Sequence, residues 1–238
     1  MTGPDPRTAV VTGATGGYGS AVVGALRRAG CAVLAVVHET PAEPGPDLAA
    51  PLHTVRGDVT EGAYQATLSR ALDALAWPAL DLVVNAAGMV RFGTELAGAA
   101  ELDVLSSVDV HCAGAMRTVR GCLPWLRRSD RATVINVTSR HASIATAVAG
   151  GYDGVPASYA YRIAKAAQNM LTACLHQEFA PRIRTLAVHP GQLRTAIGPP
   201  DADRSPRDAA DDLVELLRST PHTVSGVFLT AQGSGLSW

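Results

Sequence analysis

Tyr161 and Lys165 lie four residues apart in the run Tyr161-Arg162-Ile163-Ala164-Lys165. On a helix that spacing puts a phenol and an ammonium one turn apart on the same face. A free phenol titrates near a pKa of about 10, and a neighbouring cation favours its phenolate form. Such a pair can donate or accept a proton near neutral pH, and the lysine can also hold a ribose hydroxyl. The same pattern equally describes an exposed helix pair that contributes only a few tenths of a kcal/mol. Ser139, closing Asn136-Val137-Thr138-Ser139, offers a hydroxyl to a substrate oxygen, although a serine after a strand is also an ordinary cap or turn former. His111 stands in a mostly apolar stretch. It reads either as a satisfied core histidine or as a base whose ordinary pKa near 6.5 suits proton transfer.

The elements that must position these groups follow from the pattern of apolar residues. Short β-branched runs at Val10–Thr12, Val33–Val37, Thr54–Gly57, Leu82–Asn85, Thr133–Val137, Thr185–His189 and Gly226–Thr230 are of the kind a parallel sheet buries on both faces. Helical spacing recurs between them, at Ser20–Ala29, Ala63–Ala76, Leu102–Leu126, Tyr159–Phe179 and Asp208–Leu217. This alternation predicts an α/β fold, a doubly wound parallel sheet with helices on both faces, in a single domain spanning 1–238. Ser139 then falls at the C-terminal edge of the sheet, where open α/β sheets bind their ligands. Asn85-Ala86-Ala87-Gly88, His189-Pro190-Gly191 with Thr195 beyond it, and Gly57-Asp58-Val59 also follow strand ends.

The first strand runs directly into Thr12-Gly13-Ala14-Thr15-Gly16-Gly17-Tyr18-Gly19 and then into a helix. The first N–H groups of a helix lack intrahelical partners and, with the helix dipole, attract an anion. Missing side chains at Gly13, Gly17 and Gly19 let a pyrophosphate approach the backbone. A glycine-rich octamer alone marks any turn, and the strand before it and helix after it are what point to a dinucleotide.

Composition narrows the classes. Of 238 residues, 47% are hydrophobic and 17% charged, ample for a buried core. A net charge of −1 gives no footprint for nucleic acid or an anionic membrane. No run is long enough to span a bilayer and the first residues lack a signal-peptide core, so the expected location is the cytoplasm. Cys31, Cys112, Cys122 and Cys174 show no paired spacing and read as small buried hydrophobes, with no disulfide and no metal.

Taken in order, the T-G-x-x-x-G-x-G turn, the Asp58-Val59 pair, Asn85-Ala86-Ala87-Gly88, Ser139, Tyr161-x-x-x-Lys165 and Pro190-Gly191-x-x-x-Thr195 resemble the short-chain dehydrogenase/reductase family. The doubled Tyr159-Ala160-Tyr161-Arg162 and the tail from Ser225 to Trp238 resemble its carbonyl-reductase-like branch. The resemblance implies a Rossmann-type fold and a nicotinamide cofactor lying along the strand ends. It would have its pyrophosphate on Gly13, Thr15, Gly17, Tyr18 and Gly19, and its adenosine near His38, Asp58 and Val59. Asn85, Ala86 and Gly88 would form its floor, Tyr161 and Lys165 would meet its ribose, and Pro190, Gly191, Leu193 and Thr195 its carboxamide end. Tyr161 would protonate a carbonyl oxygen held by Ser139, with Lys165 lowering the phenol's pKa. The implied activity is NADP(H)-dependent reduction of a ketone or aldehyde, or the reverse oxidation of an alcohol. The resemblance makes a dimer or tetramer plausible and allows a monomer, since members of that branch can be monomeric; a homodimer is favoured slightly.

Three departures keep other readings open. His111 occupies the position where family members usually carry an asparagine in a proton relay. A non-redox enzyme (dehydratase, cyclase or epimerase) using Tyr161 or His111 therefore stays in view, as does an NADP-sensing regulatory protein without turnover. The spacer from Ser139 to Tyr161, with Gly150-Gly151 and Gly154-Val155-Pro156, is longer than usual and suggests a lid, while the segment after Thr195 (Pro199-Pro200) is short. No carboxylate follows the second strand at Val37-His38, which favours NADP over NAD, although Glu39 is near and Gly16 is not basic.

Overall fold

In the computed structural model of the chain, residues 5–39, 50–90, 95–152, 158–196, 198 and 201–238 are described. Most of residues 41–51, together with Gly154-Val155-Pro156 and Pro199-Pro200, lie outside them. The strands are β1 (Thr8–Thr12), β2 (Ala32–Val37), β3 (Leu52–Arg56), β4 (Leu82–Asn85), β5 (Thr133–Val137), β6 (Arg184–His189) and β7 (Val227–Thr230). The helices are α1 (Gly17–Arg28), α2 (Tyr64–Leu75), α3 (Glu101–Val108), α4 (Gly114–Leu126), α5 (Ile144–Val148), α6 (Tyr159–Phe179) and α7 (Pro206–Ser219). All seven strands pair in parallel in the order β3-β2-β1-β4-β5-β6-β7. The expected doubly wound sheet is therefore the fold.

Side-chain alternation along the strands builds a core on each face. Ala9 and Val11, Val33 and Ala35, Leu82 and Val84, and Ile135 and Val137 join Val22 and Leu26 of α1 and Leu213 and Leu217 of α7. Val10, Leu34, Val83 and Val134 point the other way, onto Leu68 and Leu72 of α2, Val119 and Trp125 of α4 and Leu175 of α6. The order of the parallel strands reverses between β1 and β4, and a crevice opens at such a switch point. Register levels the strand ends there: Thr12 pairs with Asn85, Asn85 with Asn136, and Asn136 with Ala187.

Two elements differ from the sequence expectation. The long helix expected over Leu102–Leu126 is three pieces, α3, a π-helical turn at Asp109–Ala113, and α4. Polar Ser107 and His111 are both buried on this stretch, so a straight apolar stripe could not foretell the extra residue in the turn. The spacer after Ser139 carries a 3₁₀ turn (Arg140–Ala142) and then α5, whose first N–H groups are capped by Ser143 Oγ bonding Thr146 N at 3.1 Å. Its base is tied to the chain end, since Ala145 N donates to Trp238 O at 3.0 Å and Trp238 stacks on Phe228. The cysteines also need correction: Cys31 and Cys122 are buried, but Cys112 is only half-buried and Cys174 is exposed.

Candidate active site

The glycine turn closes over the switch point. Gly13 has φ +63°, a left-handed backbone that glycine adopts without a Cβ penalty. A Cβ added there would sit 2.7 Å from Ala87 Cα and 2.8 Å from Ala86 O. Thr12 Oγ1 accepts from Ala86 N and Ala87 N, both at 3.1 Å, and so locks the end of β1 to the turn after β4. At Gly19 a Cβ would strike the Gly13 carbonyl, and at Gly17 it would come within 2.8 Å of Thr195 Cγ2. The residue entering α1, Gly16, provides no side-chain cap, so the helix's first N–H groups remain available to an anion. These features fit a bound dinucleotide. Thr15 belongs to the same turn, but the Tyr18 side chain does not line it. That ring is buried against α7 with its hydroxyl on Ala209 O at 3.5 Å, so only the Tyr18 backbone is left for a ligand.

The adenosine corner expected at the end of β2 gathers three polar residues. His38 is exposed, and its Nε2 lies 3.3 Å from Asp58 Oδ2. The other Asp58 oxygen accepts from Thr60 N and Thr60 Oγ1, each at 2.8 Å. The Thr60 backbone bond, foremost, holds the Asp58 carboxyl below the usual carboxylate range. Val59 is buried against Gly114, and its carbonyl accepts from Arg117. It is therefore packing for this corner rather than a free contact. Arg56, exposed at the end of β3, pairs in register with Val37 and donates to His38 O at 3.2 Å.

Across the crevice, Ser139, Tyr161 and Lys165 converge. Ser139 follows β5, is buried, and its Oγ accepts from His141 N at 3.3 Å. Its side chain is near enough to the Tyr161 hydroxyl to act on the phenol's pKa. Helix α6 starts where Ser158 Oγ accepts from Tyr161 N at 3.1 Å, which fixes Tyr161 in the first turn and Lys165 in the second. Burial raises the phenol's pKa, and Ser139 partly offsets this. Lys165 is buried, with Nζ 2.7 Å from Val137 O, 2.9 Å from Gln168 Oε1 and 5.9 Å from the Tyr161 ring centre. Burial pushes the ammonium down to about 7. The expectation that Lys165 lowers the Tyr161 pKa is thus not met at this geometry: desolvation of the phenol outweighs a cation that bonds elsewhere.

His111 reaches the site through the π-helical turn. It is 2% exposed, its Nε2 lies 2.9 Å from Met89 O and 3.3 Å from Met89 N, and its ring stands edge-on to Tyr161 with centroids 5.9 Å apart. A Cβ on Gly88 would meet His111 Cε1 at 2.7 Å, so Gly88 gives its space to the imidazole. Burial first, then the Lys165 charge, pushes the His111 pKa to about 3. The histidine is close to the phenol but stays neutral, which corrects the expectation of an acid–base group poised near 6.5. Nδ1 is buried without a partner among the described residues.

Asn85, 2% exposed, donates to Asn136 Oδ1 at 2.9 Å, and Asn136 Nδ2 donates to Thr172 Oγ1 at 2.8 Å. The Asn136, Thr172 and Gln168 side chains of this network went unread in the sequence; three polar residues in otherwise apolar segments were the available signal. Pro190 O accepts from Arg204 at 2.9 Å, beside Gly191 at φ +98°. Leu193 is buried and forms a bridge with Arg204. Thr195 lies against Gly17 and so joins the two ends of the crevice.

A model of the family described as short chain dehydrogenase matches residues 7–205. The chain belongs to this family. Its relatives include a 1-hydroxy-2-glutathionyl-2-methyl-3-butene dehydrogenase of Rhodococcus sp. (strain AD45), 27% identical over 206 residues, 82% of this chain and 84% of that protein. The C-signal protein of Myxococcus xanthus is 29% identical over 160 residues, 67% of this chain and 93% of that protein. Among solved structures, the NADPH-bound carbonyl reductase from chicken fatty liver shares the family fold with a TM-score of 0.85 at 24% identity, covering 98% of this chain and 99% of that one. The carbonyl reductase Sniffer of D. melanogaster matches with a TM-score of 0.86 at 22% identity over the same shares. This short-chain dehydrogenase is thus an oxidoreductase whose fold is shared with those solved structures. No helix among its described residues is long and apolar enough to cross a membrane.

Proposed function

We propose that the protein reduces a ketone or aldehyde with NADPH, and oxidises the corresponding alcohol in reverse. The convergence of Ser139, Tyr161 and Lys165 beside the uncapped glycine turn carries this reading. Gly13, Gly17, Gly19 and the backbone of Tyr18 would hold the pyrophosphate, and Asn85, Ala86 and Gly88 the inner face of the cofactor. When bound, the nicotinamide supplies the hydride. Ser139 Oγ holds the substrate carbonyl oxygen, and the Tyr161 hydroxyl donates a proton to that oxygen as it gains charge. A phenol kept protonated by burial suits this acid role at neutral pH. Lys165 supplies positive charge behind the phenolate that remains. Exposed Arg56 next to His38, with no carboxylate ending β2, supports a 2′-phosphate and hence NADP over NAD.

The non-redox and sensing alternatives are separated by one pair of measurements. NADPH should stabilise the protein against heat and bind more tightly than NADH, with nicotinamide fluorescence as the readout. On a panel of carbonyl substrates, Tyr161→Phe should lower kcat by about 10²-fold or more while NADPH affinity changes little. Binding of neither nucleotide, or full activity in Tyr161→Phe, would overturn the reading.

A further inference from the structure

Gln168 lies one turn beyond Lys165 on α6 and is completely buried. Its Oε1 accepts from Lys165 Nζ at 2.9 Å, while Val137 O accepts a second proton at 2.7 Å. An ammonium has three protons. With two directed to fixed acceptors, the orientation of the third is determined. The main chain of Gln168 is anchored, while its side-chain Nε2 is buried without a partner among the described residues. Its main-chain carbonyl accepts from Thr172 Oγ1 at 3.1 Å, Thr172 accepts from Asn136, and Asn136 from Asn85. A buried polar line therefore runs from the strand ends of β4 and β5 to the lysine. We propose that Gln168 is a positioning residue for the reaction, its side-chain carbonyl orienting Lys165 Nζ and supplying the acceptor that keeps the buried ammonium charged.

The physical case is one of competing terms. Burial disfavours the charged lysine, and hydrogen-bond acceptors favour it. Val137 O and Gln168 Oε1 are the only acceptors of Nζ among the described residues. Gln168 is the one of the two that a side-chain substitution can remove. The titratable groups facing Lys165 are Tyr161 from α6, His111 from the π-helical turn and His189 from the end of β6. Burial holds His111 at about 3 and His189 at about 4, so near neutrality neither is charged and neither competes. Charge on Lys165 is then favoured by its two acceptors, Val137 O and Gln168 Oε1.

The proposal rests on the carbonyl-reductase reading for its catalytic meaning, but its first test needs no substrate. Lys165 is the only lysine in the chain, so lysine labelled with ¹³C at Cε reports this residue alone by NMR. In the 238-residue chain, Gln168→Leu should lower the Lys165 titration midpoint by about one pH unit, and Gln168→Glu should raise it by about as much. With NADPH and a carbonyl substrate, Gln168→Leu should lose about tenfold in kcat at neutral pH, with KM for NADPH within about twofold. A Lys165 midpoint unchanged in Gln168→Leu overturns the proposal. Should that variant fail to fold, the absence of an upward shift in Gln168→Glu overturns it instead. Lack of turnover in the unmodified enzyme would remove the reductase reading, and the lysine titration would still decide the role of Gln168.

Discussion

His111 shows how one residue type can hold opposite roles until its surroundings are known. Its imidazole bonds the Met89 backbone, packs on Gly88 and meets Tyr161 edge-on. A ring so buried, beside a cationic lysine, gains nothing from a proton. The pH–rate profile of kcat should therefore keep its shape in His111→Asn, with no limb near the ordinary histidine pKa disappearing. The smaller side chain leaves space against Gly88 and an altered partner for Met89 O, so Tm should fall, by an amount equivalent to about 1–2 kcal/mol. Loss of an acid limb together with unchanged Tm would instead make His111 a catalytic base.

At the scale of elements, the β1–α1 turn has the most specific backbone requirement. Gly13 combines a positive φ with backbone atoms of Ala86 and Ala87 under 3 Å from any added Cβ, whereas Gly30, at φ +84°, has nothing within 4 Å. Gly30→Ala should cost about 1 kcal/mol, the conformational term alone. Gly13→Ala should cost roughly 2–4 kcal/mol and weaken NADPH binding more than about tenfold, because β1 and the turn after β4 must separate. Denaturant melts of the two variants with a nucleotide titration make the comparison. Equal losses would mean that the contact with Ala86 and Ala87 is unimportant. The spacer before α6 also belongs to this scale. Its described part is helical and held at its ends, with the Tyr152 hydroxyl on Arg140 O and its ring beside His141 and Arg162, while Ile144 and Val148 of α5 are exposed.

For the molecule as a whole, three histidines are held neutral by burial: His111 at about 3, His141 at about 4 and His189 at about 4. In the unfolded chain each titrates near about 6.5. Above that pH none distinguishes the two states. As pH falls from about 6.5 to 4, the unfolded chain takes up protons that the folded one does not, and stability falls. Asp58, whose carboxyl titrates below the usual range, acts in the same sense only at still lower pH. Thermal melts should show Tm dropping through this window, with a shallower slope in His111→Asn. A Tm level from pH 6.5 to 4 would contradict the buried, neutral assignment.

Much of this was legible because parallel strands, glycine turns and helix-spaced pairs follow from local sterics and periodicity. The alternating apolar runs determined the sheet and its two covered faces, and residues following strand ends had to meet at one edge. Ser139, Tyr161, Lys165 and the glycine turn could thus be placed together without coordinates. What only the tertiary structure decided depends on distance and burial between segments remote in the chain. The π-helical turn aims His111 inward and removes its charge. The Tyr18 ring turns away beneath α7. Lys165 bonds Val137 O and Gln168 instead of the phenol. Sequence fixes which groups can ionise or hydrogen-bond, but desolvation and neighbouring acceptors, present only after packing, choose the form each one takes.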